Sequence, residues 1–182
     1  IVQRQHDIYG GLLETAWLYS ERHDTIDGDT GQVLGRIADR VCDIWRQPDS
    51  GIWEVRNGPF HFTHSKVMCW VALDRAARLG ERGELPSRGV DRWRREAAAI
   101  RAFVETECWS SELRSYTRIA GSGDVDASLL MIPLMQFDDP RSARMLAAFT
   151  DPETWTALFK IAVINVVLSG DNALVIALAC RS

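Results

Sequence analysis

The sequence predicts an all-α fold. Over residues 1–145 apolar side chains recur at three- and four-residue spacing, as they do on one face of a helix. The stretches between these rows are short and rich in Gly, Asp and Pro. Few runs alternate polar with apolar residues in the way a strand would.

Taken in order, the first row is Tyr9, Leu12, Leu13, Ala16 and Trp17, and the second is Val33, Ile37, Val41 and Ile44. The third combines Val67 and Val71 with Trp70, Leu73 and Ala76, and the fourth is Val90, Trp93, Ala97, Ile100 and Val104. Each row predicts a one-sided helix that buries its apolar stripe on a neighbour. Loops are expected at residues 24–31, 47–59, 80–89 and 121–124, and connections this short favour antiparallel neighbours.

The chain has 182 residues and a net charge of -4, with acidic and basic residues interspersed. No basic stripe is present, which argues against a nucleic-acid partner. Cys42, Cys69, Cys108 and Cys180 are far apart, have no metal-binding spacing, and are expected to be reduced thiols of a cytosolic body. The start at Ile1 and the end just after an apolar run predict an internal piece of a longer protein.

The character changes after about residue 146. Asp151 followed by Pro152 reads as a helix start, and the 26 residues from Trp155 to Cys180 are almost all apolar. That run is long enough to cross a hydrocarbon core of roughly 30 Å. A transmembrane helix is therefore expected over the 146–182 segment, with a buried helix of a soluble protein as the alternative. Its polar exceptions are Lys160, Asn165 and the cluster Ser169, Gly170, Asp171 and Asn172. Inside a membrane Asp171 and Asn172 would be ion-path residues; otherwise Asp171 marks a break between two short helices.

The stretch from Asp49 to Arg75 sets one carboxylate, Glu54, among Trp53, Arg56, His61 and His64. Glycosidic cleavage needs a protonated carboxyl for the leaving oxygen and a second carboxylate to activate water or attack the sugar. Glu54 suits the donor role: between Ile52 and Trp53 it is expected to be partly desolvated, which favours a retained proton. Considered alone, a Glu after a Trp in a loop is a solvated surface residue. Arg56 can offer a bidentate pair to vicinal hydroxyls, and Trp53, Phe60 and Phe62 offer faces to a pyranose. His61, His64 and Lys66 can reach hydroxyls. Although His61 and His64 are three apart, no further ligands complete a metal site, so neither metal nor cofactor is expected. Upstream, Gln5 and Asp7 are candidate sugar contacts, with helix capping as the equal alternative for Asp7. Downstream, Asp126 reads as the cap of a following apolar helix, or else as a carboxylate aimed at the pocket.

The motif Gly51-Ile-Trp-Glu-Val-Arg56 followed by His61-Phe-Thr-His-Ser-Lys-Val-Met68 closely resembles a segment of bacterial glycoside hydrolase family 15. These are the glucoamylases, glucodextranases and bacterial trehalases. Gln5-His-Asp-Ile-Tyr-Gly10 is similar to the family's Gln-x-Asp-x-Tyr-Gly segment, and Asp126-Ala-Ser-Leu-Leu130 to its Asp-Ala-Ser segment. The resemblance implies a glycoside hydrolase domain over residues 1–145, about half of an (α/α)6 barrel. It also implies an α-glucoside or oligosaccharide substrate and Glu54 as the general acid of an inverting reaction. The family's general base is another glutamate beyond the Asp-Ala-Ser segment and has no recognisable counterpart here. Weak or absent hydrolysis by this chain alone, and marginal stability of a half barrel with uncovered apolar faces, are expected.

The tail looks like the first transmembrane segment of the TerC family, with its core at Ser169 to Ala173. A single helix of that polytopic family implies no transport. Three readings result: a fragment of an α-glucosidic hydrolase joined to a membrane segment, a membrane-anchored and catalytically inactive module, or two neighbouring genes joined by deletion or error. The first two place a bacterial-type soluble part at a membrane.

Overall fold

The computed structural model describes residues 4–55, 58–142 and 144. Four long helices dominate: α1 (Ile8–Arg22), α2 (Gly28–Ile44), α3 (Thr63–Glu81) and α4 (Val90–Glu107). They carry the four apolar rows in order. A fifth, α5 (Met131–Leu134), is a single turn preceded by the 3-10 turn Ala127–Leu130, so the apolar helix expected after Asp126 is present but short. Residues 28–31, expected in a loop, instead form the first turn of α2. The Asp27 carboxylate fixes that start by accepting from the Thr30 backbone N–H at 3.0 Å.

Cross-helix contacts give the direction of each element. Arg94 reaches back to Glu81 at 2.9 Å and to Asp74 at 3.2 Å, and Arg101 lies over the Trp70 ring, so α4 runs antiparallel to α3. In contrast α1 runs parallel to α3: Gly10 meets Met68, Glu14 pairs with Arg75 at 2.6 Å, and Trp17 lies beneath Arg78 and Arg82. Gly31 touches Glu84 beyond the end of α3, whereas Lys66 near the start of α3 reaches Trp45 and Gln47, so α2 is antiparallel to α3. The result is two helical hairpins whose first members, α1 and α3, are parallel and begin at the same end of the molecule.

Helix α3 departs from the one-sided expectation. Its residues from Thr63 to Ala77 are all buried, which requires neighbours on every side. The cost of enclosing its polar side chains is offset by partners. Arg75, 1% exposed, bonds to Glu14 and Asp74 at 2.6 Å and to the Met135 carbonyl at 3.2 Å. Asp74 also pairs with Arg78 at 2.8 Å. Helix α1 is the reverse case: Ile8, Leu12 and Tyr19 form one exposed apolar stripe at helical spacing, and Val33 on α2 is exposed as well.

Two antiparallel strands, β1 (Trp109–Ser110) and β2 (Ser115–Tyr116), follow α4 and were not expected. Two residues are too few for alternation to register in a sequence. Their pairing sets the Trp109 and Tyr116 rings edge to face at 5.1 Å. Cys42, Cys69 and Cys108 are buried free thiols, and burial pushes Cys42 and Cys69 up to about 12. Among the described residues no helix is long and apolar enough to cross a membrane. The expected span over 146–182, with Asp171, Asn172 and Cys180, lies outside the described residues.

Candidate active site

The loop between α2 and α3 is clamped from both sides at the end where α1 and α3 begin. Asp49 and Phe60 exchange backbone hydrogen bonds at 3.0 and 2.9 Å, which closes the loop. On one side the amino-terminal segment docks, with Ser50 N–H donating to the Arg4 carbonyl at 2.8 Å and His6 N–H to the Asp49 carboxylate at 3.1 Å. On the other, Thr63 N–H donates to the Arg118 carbonyl and Ala120 N–H to the His61 carbonyl, both at 3.0 Å. The three sequence motifs, separated by up to about a hundred residues, therefore meet in one place.

Inside the clamp the chain turns sharply over Gly51 to Glu54, where the Glu54 N–H donates to the Gly51 carbonyl at 3.1 Å. Gly51 has φ +66, and a Cβ there would lie 2.7 Å from the Phe62 ring, so only glycine suits this corner. Glu54 itself is left-handed at φ 49, a conformation that a non-glycine residue adopts at a cost of about 1 kcal/mol or more. The turn projects Glu54 and Trp53 outward. Trp53 is 58% and Ile52 39% exposed, and Glu54 is exposed too. The expected desolvation by these two neighbours is thus absent; only a body laid over the turn would supply it.

Side-chain hydrogen bonds hold this exposed pair. Gln5 Nε2 donates to Glu54 Oε1 at 3.1 Å. The single Trp53 Nε1–H is shared between the two Asp126 oxygens at 3.0 and 2.9 Å. Asp126 also accepts from the Ser128 N–H at 2.7 Å, so the two roles weighed for it, cap and pocket carboxylate, coincide. Burial pushes the Asp126 carboxyl up, but the bonds from Ser128 and Trp53 and the nearby Arg118 outweigh it and leave it below the ordinary range.

Behind the turn lies a shell of unpartnered polar atoms. Among the described residues, the buried side-chain polar atoms with no partner in the protein are His6 Nδ1, Asp7 Oδ1, Asp49 Oδ1, His61 Nδ1, His64 Nδ1, Ser65 Oγ and Arg118 Nε. All lie on the segments of this clamp. Such atoms are rare in folded proteins and call for an explanation, since each costs free energy when left unpaired. Burial holds His6, His61 and His64 below the ordinary imidazole range; for His64, Asp7, Asp126 and Asp49 act in the opposite sense and are outweighed. Neutral imidazoles beside carboxylates present both donors and acceptors, the pairing that neutral hydroxyls require.

The sequence-predicted residues divide. Gln5, Trp53 and Glu54 are joined to one another or to the same turn, and His61 and His64 lie at its base. Asp7 makes no side-chain cap bond, and its Oδ1 is one of the unpartnered atoms, which leaves the capping alternative without a bond. Lys66 is placed elsewhere: it is fully buried and donates to the Trp45 carbonyl and, at 2.8 Å, to the Gln47 carbonyl. It closes the carboxyl end of α2, where free carbonyls and the helix dipole favour a cation. Arg56 lies outside the described residues. His6, Asp49 and Arg118 belong to the site and were missed. His6 and Asp49 sit within the motifs already singled out, whereas nothing in the sequence around Arg118 distinguishes it from a surface arginine. An open cleft of about 310 Å3, lined in part by Arg4, Gln5, His6 and Arg40, adjoins the amino-terminal side. Among the described residues no cluster of three or more His, Cys, Asp or Glu could hold a metal ion.

Comparison with known proteins shows the family. The chain is 41% identical over 155 residues to a trehalase of Mycobacterium tuberculosis, covering 84% of this chain and 22% of that protein. It is 39% identical over 156 residues to a trehalase of Mycolicibacterium smegmatis, covering 84% and 23%. It is 35% identical over 141 residues to trehalase 1 of Sulfolobus acidocaldarius, covering 75% and 23%. The chain thus spans roughly a quarter of the length of these relatives. No solved structure matches it. The sequence profile of the glycosyl hydrolases family 15 matches residues 1–162, past the change of character near residue 146. The chain belongs to glycosyl hydrolases family 15.

Proposed function

We propose that the chain carries the proton-donor part of an inverting glycosidase site for α-glucosides, with trehalose the first substrate to test. Glu54 gives its proton to the leaving glycosidic oxygen. Trp53 offers its exposed ring to the apolar side of the glucosyl unit, and that stacking would desolvate the exposed turn. Gln5, Asp7, His61 and His64 hold hydroxyls, joined by Arg56 from the same loop.

The observation that carries this reading is the convergence of the three motifs on one exposed turn, with Gln5 on Glu54, Asp126 on Trp53 and the unpartnered polar atoms behind them. The names of the relatives at 41% and 39% identity support trehalose over other α-glucosides. Parallel α1 and α3, backed by antiparallel α2 and α4, support a place among the inner and outer helices of an (α/α)6 barrel. Inversion needs a second carboxylate across a water from Glu54, and the family resemblance puts that base beyond the Asp-Ala-Ser segment. Slow turnover by this chain alone is therefore part of the proposal.

A second reading concerns the tail. The apolar run and the Ser169 to Ala173 motif support a TerC-like membrane span that would hold the helical part at a bacterial membrane, with its soluble portion in the cytoplasm.

The test of the main reading is glucose release from trehalose, maltose and maltooligosaccharides by the full chain, with the anomeric form followed by NMR. Release of β-glucose from trehalose that disappears in Glu54→Gln supports it. Release of α-glucose alone, or release that survives the substitution, overturns it.

A further inference from the structure

We propose that Asp126 is a positioning residue that fixes the Trp53 indole, and through it the left-handed Glu54 turn, as a rigid platform for a glucosyl ring. The inference rests on the assignment of Glu54 and Trp53 above and gives Asp126 a role that assignment leaves open.

Trp53 is 58% exposed, so little packing restrains its ring. Its fixed attachment is the N–H shared between both Asp126 oxygens at 3.0 and 2.9 Å. Asp126 in turn is anchored, because it accepts from the Ser128 N–H at 2.7 Å and follows the 118–120 segment that is docked on the loop through Thr63 and Ala120. Capping of the 3-10 turn alone does not call for aspartate, since serine, threonine and asparagine cap comparably. Only a carboxylate offers two acceptor oxygens to one indole N–H while a third bond goes to the backbone. A charge-assisted hydrogen bond is also about twice as strong as a neutral one. The neighbouring Glu54 occupies a strained conformation, and strain persists only where surrounding contacts over-determine it. Asp126 on the Trp53 side and Gln5 on the Glu54 side are among the contacts that do so.

The test separates capping from positioning. In the full chain, the Trp53 indole N–H resonance is identified by its loss in Trp53→Phe. Asp126→Ser keeps a capping oxygen but cannot reach the indole. It should move that resonance upfield and speed its solvent exchange by about tenfold, the factor equivalent to one charge-assisted bond. The Ser128 amide should stay in place. Asp126→Asn, which is isosteric and retains one acceptor oxygen, should give an intermediate shift, and it decides the matter if the serine variant does not fold. An indole resonance that is unchanged in both variants overturns the proposal and leaves Asp126 a cap. Titration with trehalose is the second arm: affinity should fall by about tenfold in Asp126→Ser. If the native chain binds no trehalose while the indole still responds to Asp126, the substrate reading fails and the positioning role stands.

Discussion

Gly10→Ala is the substitution whose cost the structure fixes most closely. Gly10 is where α1 crosses α3, and a Cβ there would run into the Met68 carbonyl oxygen and lie 2.8 Å from the Met68 Cβ. The obstacle is mostly backbone of a helix buried on every side, so α1 must move away from α3. Overpacking of this kind costs about 1–3 kcal/mol, and the intrinsic helix preference of alanine returns about 1 kcal/mol, for a net loss of up to about 2 kcal/mol. Gly11 is the internal control. It lies in the same helix, nothing stands within 4 Å of its added Cβ, and Gly11→Ala should gain about 0.5–1 kcal/mol. Urea unfolding of the two variants should therefore place their midpoints roughly 1 M apart, with Gly11→Ala the higher. Displacement of α1 also shifts the segment that brings Gln5 to Glu54, so Gly10→Ala should lose trehalose affinity while Gly11→Ala retains it. Equal stability of the two variants would refute the close helix crossing on which the position of the site depends.

Three further outcomes are expected. His6, His61 and His64 are all depressed from their ordinary value of 6.5, so between their folded values and 6.5 the unfolded chain binds more protons. Stability is therefore fully present above about pH 6.5 and declines as the pH falls through that value; urea midpoints at about pH 7.5 and about pH 5.5 should differ in that sense, with a smaller difference in His64→Gln. Arg75→Met leaves Glu14 without its partner and removes one of the three arginines around Asp74, at about 3–5 kcal/mol in thermal or urea unfolding. Lys66→Met leaves the Trp45 and Gln47 carbonyls without their donor and should cost about 1–3 kcal/mol, yet trehalose affinity per folded molecule should be unchanged, since the ammonium closes α2 and touches no ligand.

The helices were legible because their apolar rows follow a period of 3.6 residues over about two and a half to four turns, long enough for the pattern to rise above chance. The full burial of α3 was not, although its sequence holds the means: Lys66, Asp74 and Arg75 read as a polar face until their partners on α1, α2 and α4 are known. Lys66 shows the same cause at a single residue. A lysine within a binding motif and a lysine that caps a distant helix look alike until Trp45 and Gln47 are seen within reach. Asp126 illustrates a different limit, for its capping role depends on residues next in sequence and was foreseen, while its bond to Trp53 joins positions 73 apart and was not. Arg118 gave no local signal because its place is fixed by backbone pairing of the 117–120 segment with the start of α3.

The most direct measurement compares Glu54→Gln with the native chain on two substrates that differ in their need for an acid. The glucose that leaves trehalose would depart as an alkoxide unless it is protonated, whereas α-glucosyl fluoride releases fluoride without a proton. If Glu54 is the donor, the substitution lowers turnover of trehalose by about a hundredfold or more and leaves that of α-glucosyl fluoride nearly intact. Equal losses on both substrates would contradict Glu54 as the proton donor of an α-glucoside site.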